Sequence, residues 1–188
     1  GEESIDKKLM EGEVVFEGDR LEPGYENIPG QWGAIWLTSG STQHQFHHAT
    51  IKNATVGILM DFNDETNDPT LTISNSQIHN SAAANLWGKT AYIVAKNTVF
   101  GNAGQYSFIG SIGGDYKFTH CAFSNYWEKS FRSTPAVLIN DYTTLSDGTN
   151  FIKPLKNVTF ENCIIDGNQL IEFYVEQQGN EPINFNLD

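Results

Sequence analysis

The feature that most constrains this chain is that it repeats itself. The run Leu71-Thr-Ile-Ser-Asn-Ser-Gln-Ile-His-Asn80 returns as Ile93-Val-Ala-Lys-Asn-Thr-Val-Phe-Gly-Asn102 and again as Tyr116-Lys-Phe-Thr-His-Cys-Ala-Phe-Ser-Asn125. An earlier copy is Phe46-His-His-Ala-Thr-Ile-Lys-Asn53 and a later one is Phe160-Glu-Asn-Cys-Ile-Ile-Asp-Gly167. The copies end at residues 53, 80, 102, 125 and 167, so they recur every 22 to 27 residues before one wider gap. A short unit with this period cannot bury its apolar face alone and has to be covered by its neighbours, which is the signature of stacked repeats.

Residues two apart on a strand face the same side, so the register assigns columns. The first runs Phe46, Ile73, Ala95, Phe118, Phe160; the second Ala49, Ser76, Thr98, Cys121, Cys163; the third Ile51, Ile78, Phe100, Phe123, Ile165. Bulky columns flank a small one, as a narrow core requires. Between the first two lies a polar position held by His48, Asn75, Asn97, His120 and Asn162. Asn tolerates the left-handed backbone of a sharp corner, so this column predicts a ladder of turns. The runs are short, rich in Ile, Val, Phe and Thr, and bounded by Asn and Gly, which favours strands over helices. Two-residue Asn-Gly or Asp-Gly turns do not join every pair, so parallel stacking is expected rather than hairpins.

These residues resemble the right-handed parallel β-helix family, the pectin-lyase-like architecture whose coils carry an Ile-x-Asn-(small)-x-Ile-x-Asn signature. The chain is also similar to a group of secreted bacterial β-helix proteins of unknown role, through Val14-Val-Phe-Glu-Gly-Asp-Arg20 and Pro29-Gly-Gln-Trp-Gly-Ala-Ile35. The resemblance covers roughly residues 12 to 175. It implies an all-β chain, a right-handed parallel β-helix solenoid of about six to seven coils in one domain over residues 1–188. A loop insertion is expected at about 126–157 and a polar tail from about 177. Such a motif is specific for fold and poor for function.

A net charge of −12 disfavours nucleic acid, whose phosphates need clustered Lys and Arg, and equally disfavours a strongly anionic polysaccharide. No apolar run is long enough to span a membrane as a helix. The opening Gly1-Glu-Glu-Ser-Ile-Asp-Lys-Lys8 is charged where a signal peptide would be apolar. An extracellular, periplasmic or outer-surface location is therefore implied by the resemblance alone. Lys8 to Phe16 reads as the tail of a coil whose earlier turns are missing, which predicts flanking coils or end-to-end homo-oligomers.

Enzymes on this architecture place carboxylates and a basic group on one strand face, sometimes with calcium. The candidates here are Asp61, Asp64 and Asp141 with Arg132 or Lys117. Asp61, Asp64, Glu65 and Asp68 are a weak calcium candidate, since no Gly supplies a calcium loop's sharp turn. A zinc triad of His44, His47 and His79 matches no established ligand spacing, and no cofactor is expected. No lyase-type or polygalacturonase-type catalytic motif is present. Cys121 and Cys163 share a column and read as two small thiols in the core.

The chain holds twelve Phe, seven Tyr and four Trp, and a flat ring exposed on a rigid scaffold is a good sugar platform. Trp36 and Trp87 share one exterior face with Ile109 and Tyr174 if the strand parity is right, and a one-residue slip would turn them inward. Trp32 is expected to pack a corner. The insertion adds Tyr126, Trp127 and Arg132, and insertions in stacked repeats tend to build the binding face. The leading expectation is thus a non-catalytic extracellular or cell-surface module that binds carbohydrate or surface polymer through Trp36, Trp87, Tyr126, Trp127, Arg132 and Tyr174. The alternatives are a polysaccharide lyase or glycoside hydrolase, and a structural adhesin spacer without a ligand.

Overall fold

The computed structural model describes the chain from Gly1 to Asp188 except Lys7, Met10, Leu21, Asp64 and Glu65. Among the described residues there are eighteen strands and no helix. Strands such as Leu71–Ser74 and Val137–Asn140 bury every second side chain, the alternation a pleated strand imposes on sequences rich in branched residues.

With strands numbered in chain order, three six-membered parallel ladders account for all but two of them. The first joins β2 (Trp32–Leu37), β5 (Ala54–Met60), the leading half of β8 (Ala84–Lys96), the leading half of β10 (Tyr106–Thr119), β12 (Val137–Asn140) and β17 (Phe173–Glu176). The second joins β3 (His44–His47), β6 (Leu71–Ser74), the trailing halves of β8 and β10, β15 (Leu155–Glu161) and β18 (Asn184–Leu187). The third joins β1 (Val14–Phe16), β4 (Ala49–Lys52), β7 (Gln77–Ser81), β9 (Val99–Ala103), β11 (Ala122–Asn125) and β16 (Ile164–Gly167). The chain visits third, first and second ladders in that cyclic order from β1 to β18. Each ladder therefore supplies part of the long crossover that parallel neighbours need. Only β13 (Tyr142–Thr144) and β14 (Asn150–Ile152) depart, forming an antiparallel hairpin.

The register follows the repeat. Phe46, Ile73, Ala95, Phe118 and Phe160 are successive Cα partners, and Leu187 extends the column. Ile51, Ile78, Phe100, Phe123 and Ile165 are likewise partners, with Phe16 before them. Both columns meet in one core, where Phe100 stacks on Phe123 at 4.9 Å between centroids and Phe118 meets Phe123 edge-on at 5.0 Å. The small column stays between them, with Ala49 giving its backbone N–H to Ser76 Oγ and Cys121 giving its N–H to Cys163 Sγ. Both cysteines are free thiols, Cys121 buried and Cys163 half-buried. Cys163 accepts from the neighbouring thiol and amide, which holds it below the usual thiol range, while the same contact and burial push Cys121 up.

The corners explain why the copies are punctuated by Asn. His48, Asn75, Asn97, His120 and Asn162 turn the chain from the second ladder to the third with φ of 47°, 50°, 50°, 54° and 51°. Their side chains continue the stacking: Asn97 Nδ2 donates to Asn75 Oδ1 at 2.7 Å, and Asn75 Nδ2 lies 3.3 Å from His48 Nε2. Asn53, Asn80 and Asn102 make a second such corner, with φ of 63°, 58° and 45°, and Asn80 Nδ2 donates to Asn53 Oδ1.

Segment 126–157 is not one insertion. Val137–Asn140 enters the first ladder in register with Phe108–Gly110 on one side and Phe173–Glu176 on the other. Two separate loops remain, one before β12 and one carrying the β13–β14 hairpin. The tail from 177 likewise returns as β18, whose Asn184–Leu187 pair with Asn157–Phe160. No helix among the described residues is long and apolar enough to cross a membrane.

Candidate functional site

The first ladder presents a continuous aromatic and aliphatic row on its outer face. Trp36, Leu59, Trp87, Ile109, Leu138 and Tyr174 are successive Cα partners, one from each strand. Their chain neighbours Leu37, Met60, Gly88, Gly110, Ile139 and Val175 form the adjacent inward row, so pleat parity sends the first set outward. At ~4.8 Å per strand the row spans about 24 Å, and the two indoles, separated by one strand, sit about 10 Å apart. Trp36 is 62% exposed and Tyr174 45%, while Ile109 is recessed at 8%. Beside Trp36 an open depression of about 340 Å³ is lined by Ala34, Val56 and Leu59.

A polar row runs two residues further along the same face. Asp61 Oδ2 accepts from Trp36 Nε1 at 2.5 Å, and its Oδ1 lies 3.2 Å from Lys89 Nζ. Lys89 Nζ is 5.0 Å from the centroid of the Trp87 ring, and Trp87 Nε1 donates to Ser111 Oγ at 2.9 Å. Each indole is thus tethered by its N–H to a neighbouring strand, leaving its ring as a positioned surface with less rotamer freedom to lose. Beyond them, Asn140 and Glu176 continue the line, and Glu176 takes a hydrogen bond from the Tyr142 hydroxyl that raises this phenol's pKa. Aromatic faces flanked by carboxylate, hydroxyl and ammonium groups suit a ligand that is apolar on one face and hydroxyl-rich at its edge.

The remaining candidates are placed elsewhere. Trp127 is 6% exposed, gives its Nε1–H to Ser130 Oγ and packs toward Gly104, so it stabilises the loop before β12 instead of presenting a ring to solvent. Arg132 is 3% exposed, and its guanidinium bonds bidentately to Glu172 at 2.7 and 2.9 Å as well as to the Asn125 and Thr134 carbonyls and Asn168 Oδ1. That geometry makes Arg132 the pin of this loop, not a contact or catalytic cation. Tyr126 is exposed, but its hydroxyl donates to Asp166 on the third ladder, which raises the phenol's pKa and lowers that of the carboxylate. It lies off the row. Asp141 is 2% exposed and accepts from the backbone N–H groups of Gln178 and Gly179, which seats the chain after β17.

Asp61 and Asp141, two of the carboxylates proposed for catalysis, are not gathered. Asp61 follows β5 and Asp141 follows β12, with β8 and β10 between them. That is three strand steps, about 14 Å, beyond the roughly 5 to 9.5 Å over which paired carboxylates cleave glycosides. Lys117 is engaged in the second ladder, donating to Tyr92 Oη at 2.9 Å and lying 4.0 Å from Asp115 Oδ1, and the bond to Tyr92 raises its pKa. Asp64 and Glu65 lie outside the described residues, and Asp68 is exposed. Among the described residues no group of three or more His, Cys, Asp or Glu side chains could hold a metal ion. His44 meets Ser41, His47 meets Ser74, and His79 belongs to the third ladder, so the histidine triad is not assembled.

Leu59 and Leu138 are members of the row that sequence reading missed. Leu59 sits beside a register shift at Gly57, and Leu138 belongs to a strand without the Asn-punctuated motif. Trp32 packs against the core with its Nε1–H on the Lys52 carbonyl, as a corner residue should. No family model matches the chain, and neither the curated proteins nor the solved structures yield a significant match.

Proposed function

We propose that this chain is a right-handed parallel β-helix of six coils, resembling the pectin-lyase-like architecture, and that it works outside the cell or at its surface as a non-catalytic module binding a neutral polysaccharide. The coil reading is supported by the fixed cyclic order in which the chain visits three parallel ladders. The binding reading rests on one observation above the others: Trp36, Leu59, Trp87, Ile109, Leu138 and Tyr174 form a single outward row. A linear glycan laid across the strands would meet a repeating apolar surface at a spacing close to the length of one pyranose ring. Neutral polymer is favoured because the chain carries −12 overall, while Asp61, the carboxylate bonded to the Trp36 indole, is already compensated by Lys89.

The test is a glycan array followed by sedimentation with insoluble polysaccharides. Trp36→Ala and Trp87→Ala should each weaken binding about tenfold, near 1.4 kcal/mol, as expected when an aromatic anchor is truncated. Binding indifferent to both substitutions removes the reading. Complete absence of glycan binding favours the ligand-free spacer, and release of new reducing ends or unsaturated products favours the hydrolase or lyase.

A further inference from the structure

The two loops that leave the corner between the first and second ladders face each other across a cleft of about 350 Å³, within the range of small-ligand sites. Thr66 and Asn67 come from the loop after β5, Lys153 from the segment between β14 and β15, Lys156 from the start of β15, and Tyr92 and Asp115 from the strands beneath. This cleft lies off the indole row and shares none of its residues.

Two oxygens in it are out of solvent contact and, among the described residues, find no hydrogen-bond partner: Thr66 Oγ1 and Asp115 Oδ1. The other Asp115 oxygen accepts from Asn157 Nδ2 at 2.7 Å, and Lys117 stands 4.0 Å from Oδ1, beyond hydrogen-bond reach. Buried polar atoms are nearly always bonded, so an orphaned pair in one concavity marks a place for a ligand. The backbone at the same corner is also held in an unusual state. Thr90 and Ile112 are β-branched residues at φ of 47° and 61°, where such side chains are rare outside functional or strained positions. Thr90 Oγ1 locks the pair by donating to the Ile112 carbonyl at 2.6 Å.

The lining identifies the ligand's chemistry. The Asp115 carboxylate can only accept, the lysine ammonium groups can only donate, and the Thr66 hydroxyl does either. Phosphate or a carboxylate would face the lysines but set a second negative charge against the Asp115 carboxylate. An amine would satisfy Asp115 but meet Lys117, Lys153 and Lys156. Hydroxyls on adjacent ring carbons donate and accept at short intervals without net charge. We propose that this cleft is a second binding site that takes one or two neutral sugar residues, held by Asp115 and Thr66 and closed by Lys153 and Lys156.

The test is calorimetric titration of the full chain with neutral mono- and disaccharides, using inorganic phosphate, glucuronate and glucosamine as charged probes. At least one neutral sugar should bind with a stoichiometry of one. Asp115→Asn and Thr66→Val should each weaken it about tenfold. Since Thr66 Oγ1 makes no bond within the described protein, Thr66→Val should leave the melting temperature unchanged or higher, which separates loss of ligand from loss of fold. Trp36→Ala should leave this binding intact. Polymer binding through the row without any neutral-sugar binding in the cleft overturns the second site alone. Tighter binding of phosphate, glucuronate or glucosamine overturns the assigned chemistry, as does affinity unmoved by Asp115→Asn and Thr66→Val.

Discussion

Two corners of the same molecule solve the same turn in opposite ways. Between the second and third ladders the turn is made five times by one residue, Asn or His, at φ near +50°, and no loop intervenes. Between the first and second ladders nothing repeats. The chain turns there through Thr90, through Ile112, Gly113 and Gly114, and through loops that include residues 61–63, residues 66–70 and the β13–β14 hairpin. Asn at the first corner adopts a left-handed backbone at low cost and bonds to the Asn above it, so each copy supports the next. At the second corner the strained residues are fixed by contacts specific to their own level, and the cleft opens there. Regularity and level-to-level variety are thus segregated to different edges of one scaffold.

The most severe way to break this contrast is to lengthen each corner. One glycine inserted between Asn97 and Thr98 would slip β9 and turn Phe100 out of the core, which should cost about 4 kcal/mol or more and abolish cooperative unfolding. The same glycine between Ser146 and Asp147, at the hairpin tip, should cost well under ~1 kcal/mol, because lengthening an existing loop changes closure entropy little. Chemical denaturation of both variants checks the pair.

The corner between the third and first ladders lies between these extremes, since its loop before β12 is fastened by the ion pair of Arg132 with Glu172. Arg132→Ala removes the cation from the half-buried Glu172 carboxylate and should destabilise by about 3 kcal/mol. Restoration by Arg132→Lys should be incomplete, because an ammonium cannot reproduce the fork of bonds. A reciprocal swap sharpens the original comparison at smaller scale. Asn97→Thr puts a branched residue where left-handed backbone is required and should cost about 1 to 3 kcal/mol. Thr90→Asn relieves that strain and should cost less than about 1 kcal/mol, the lost hydroxyl bond included.

The smallest effect is a pH dependence beside the regular Asn80 corner. Burial first, and Lys52 second, hold His79 below the ordinary imidazole value of 6.5. The unfolded chain therefore binds a proton at His79 before the folded one does, so stability should fall as pH drops through 6.5 toward the lowered folded value. His79→Gln should flatten that part of a melting-temperature profile, and an unchanged slope would show that other groups carry it.

Much of this was legible in the chain. Phe46 through Phe160 and Ile51 through Ile165 fall in register because the branched and aromatic runs alternate and the Asn corners set their phase. Val137–Asn140 was hidden because it is a strand with no Asn-punctuated partner run, so periodicity merges it with its flanking loops. Trp127 and Arg132 look like contact residues in a list of types, yet the Trp127 indole N–H and both terminal guanidinium nitrogens of Arg132 are bonded within the fold.

Alternation and left-handed corners are local properties, and the sequence by itself determined them: parallel strand columns, their phase and the turn ladder. Which apolar residues face outward was settled only in the tertiary structure, because Trp36 and Leu37, or Leu59 and Met60, are equally apolar and differ only in pleat parity. The meeting of Thr66 with Asp115 was decided there too, since residues far apart in the chain are brought to one cleft by the stacking of levels and not by any spacing a sequence can display.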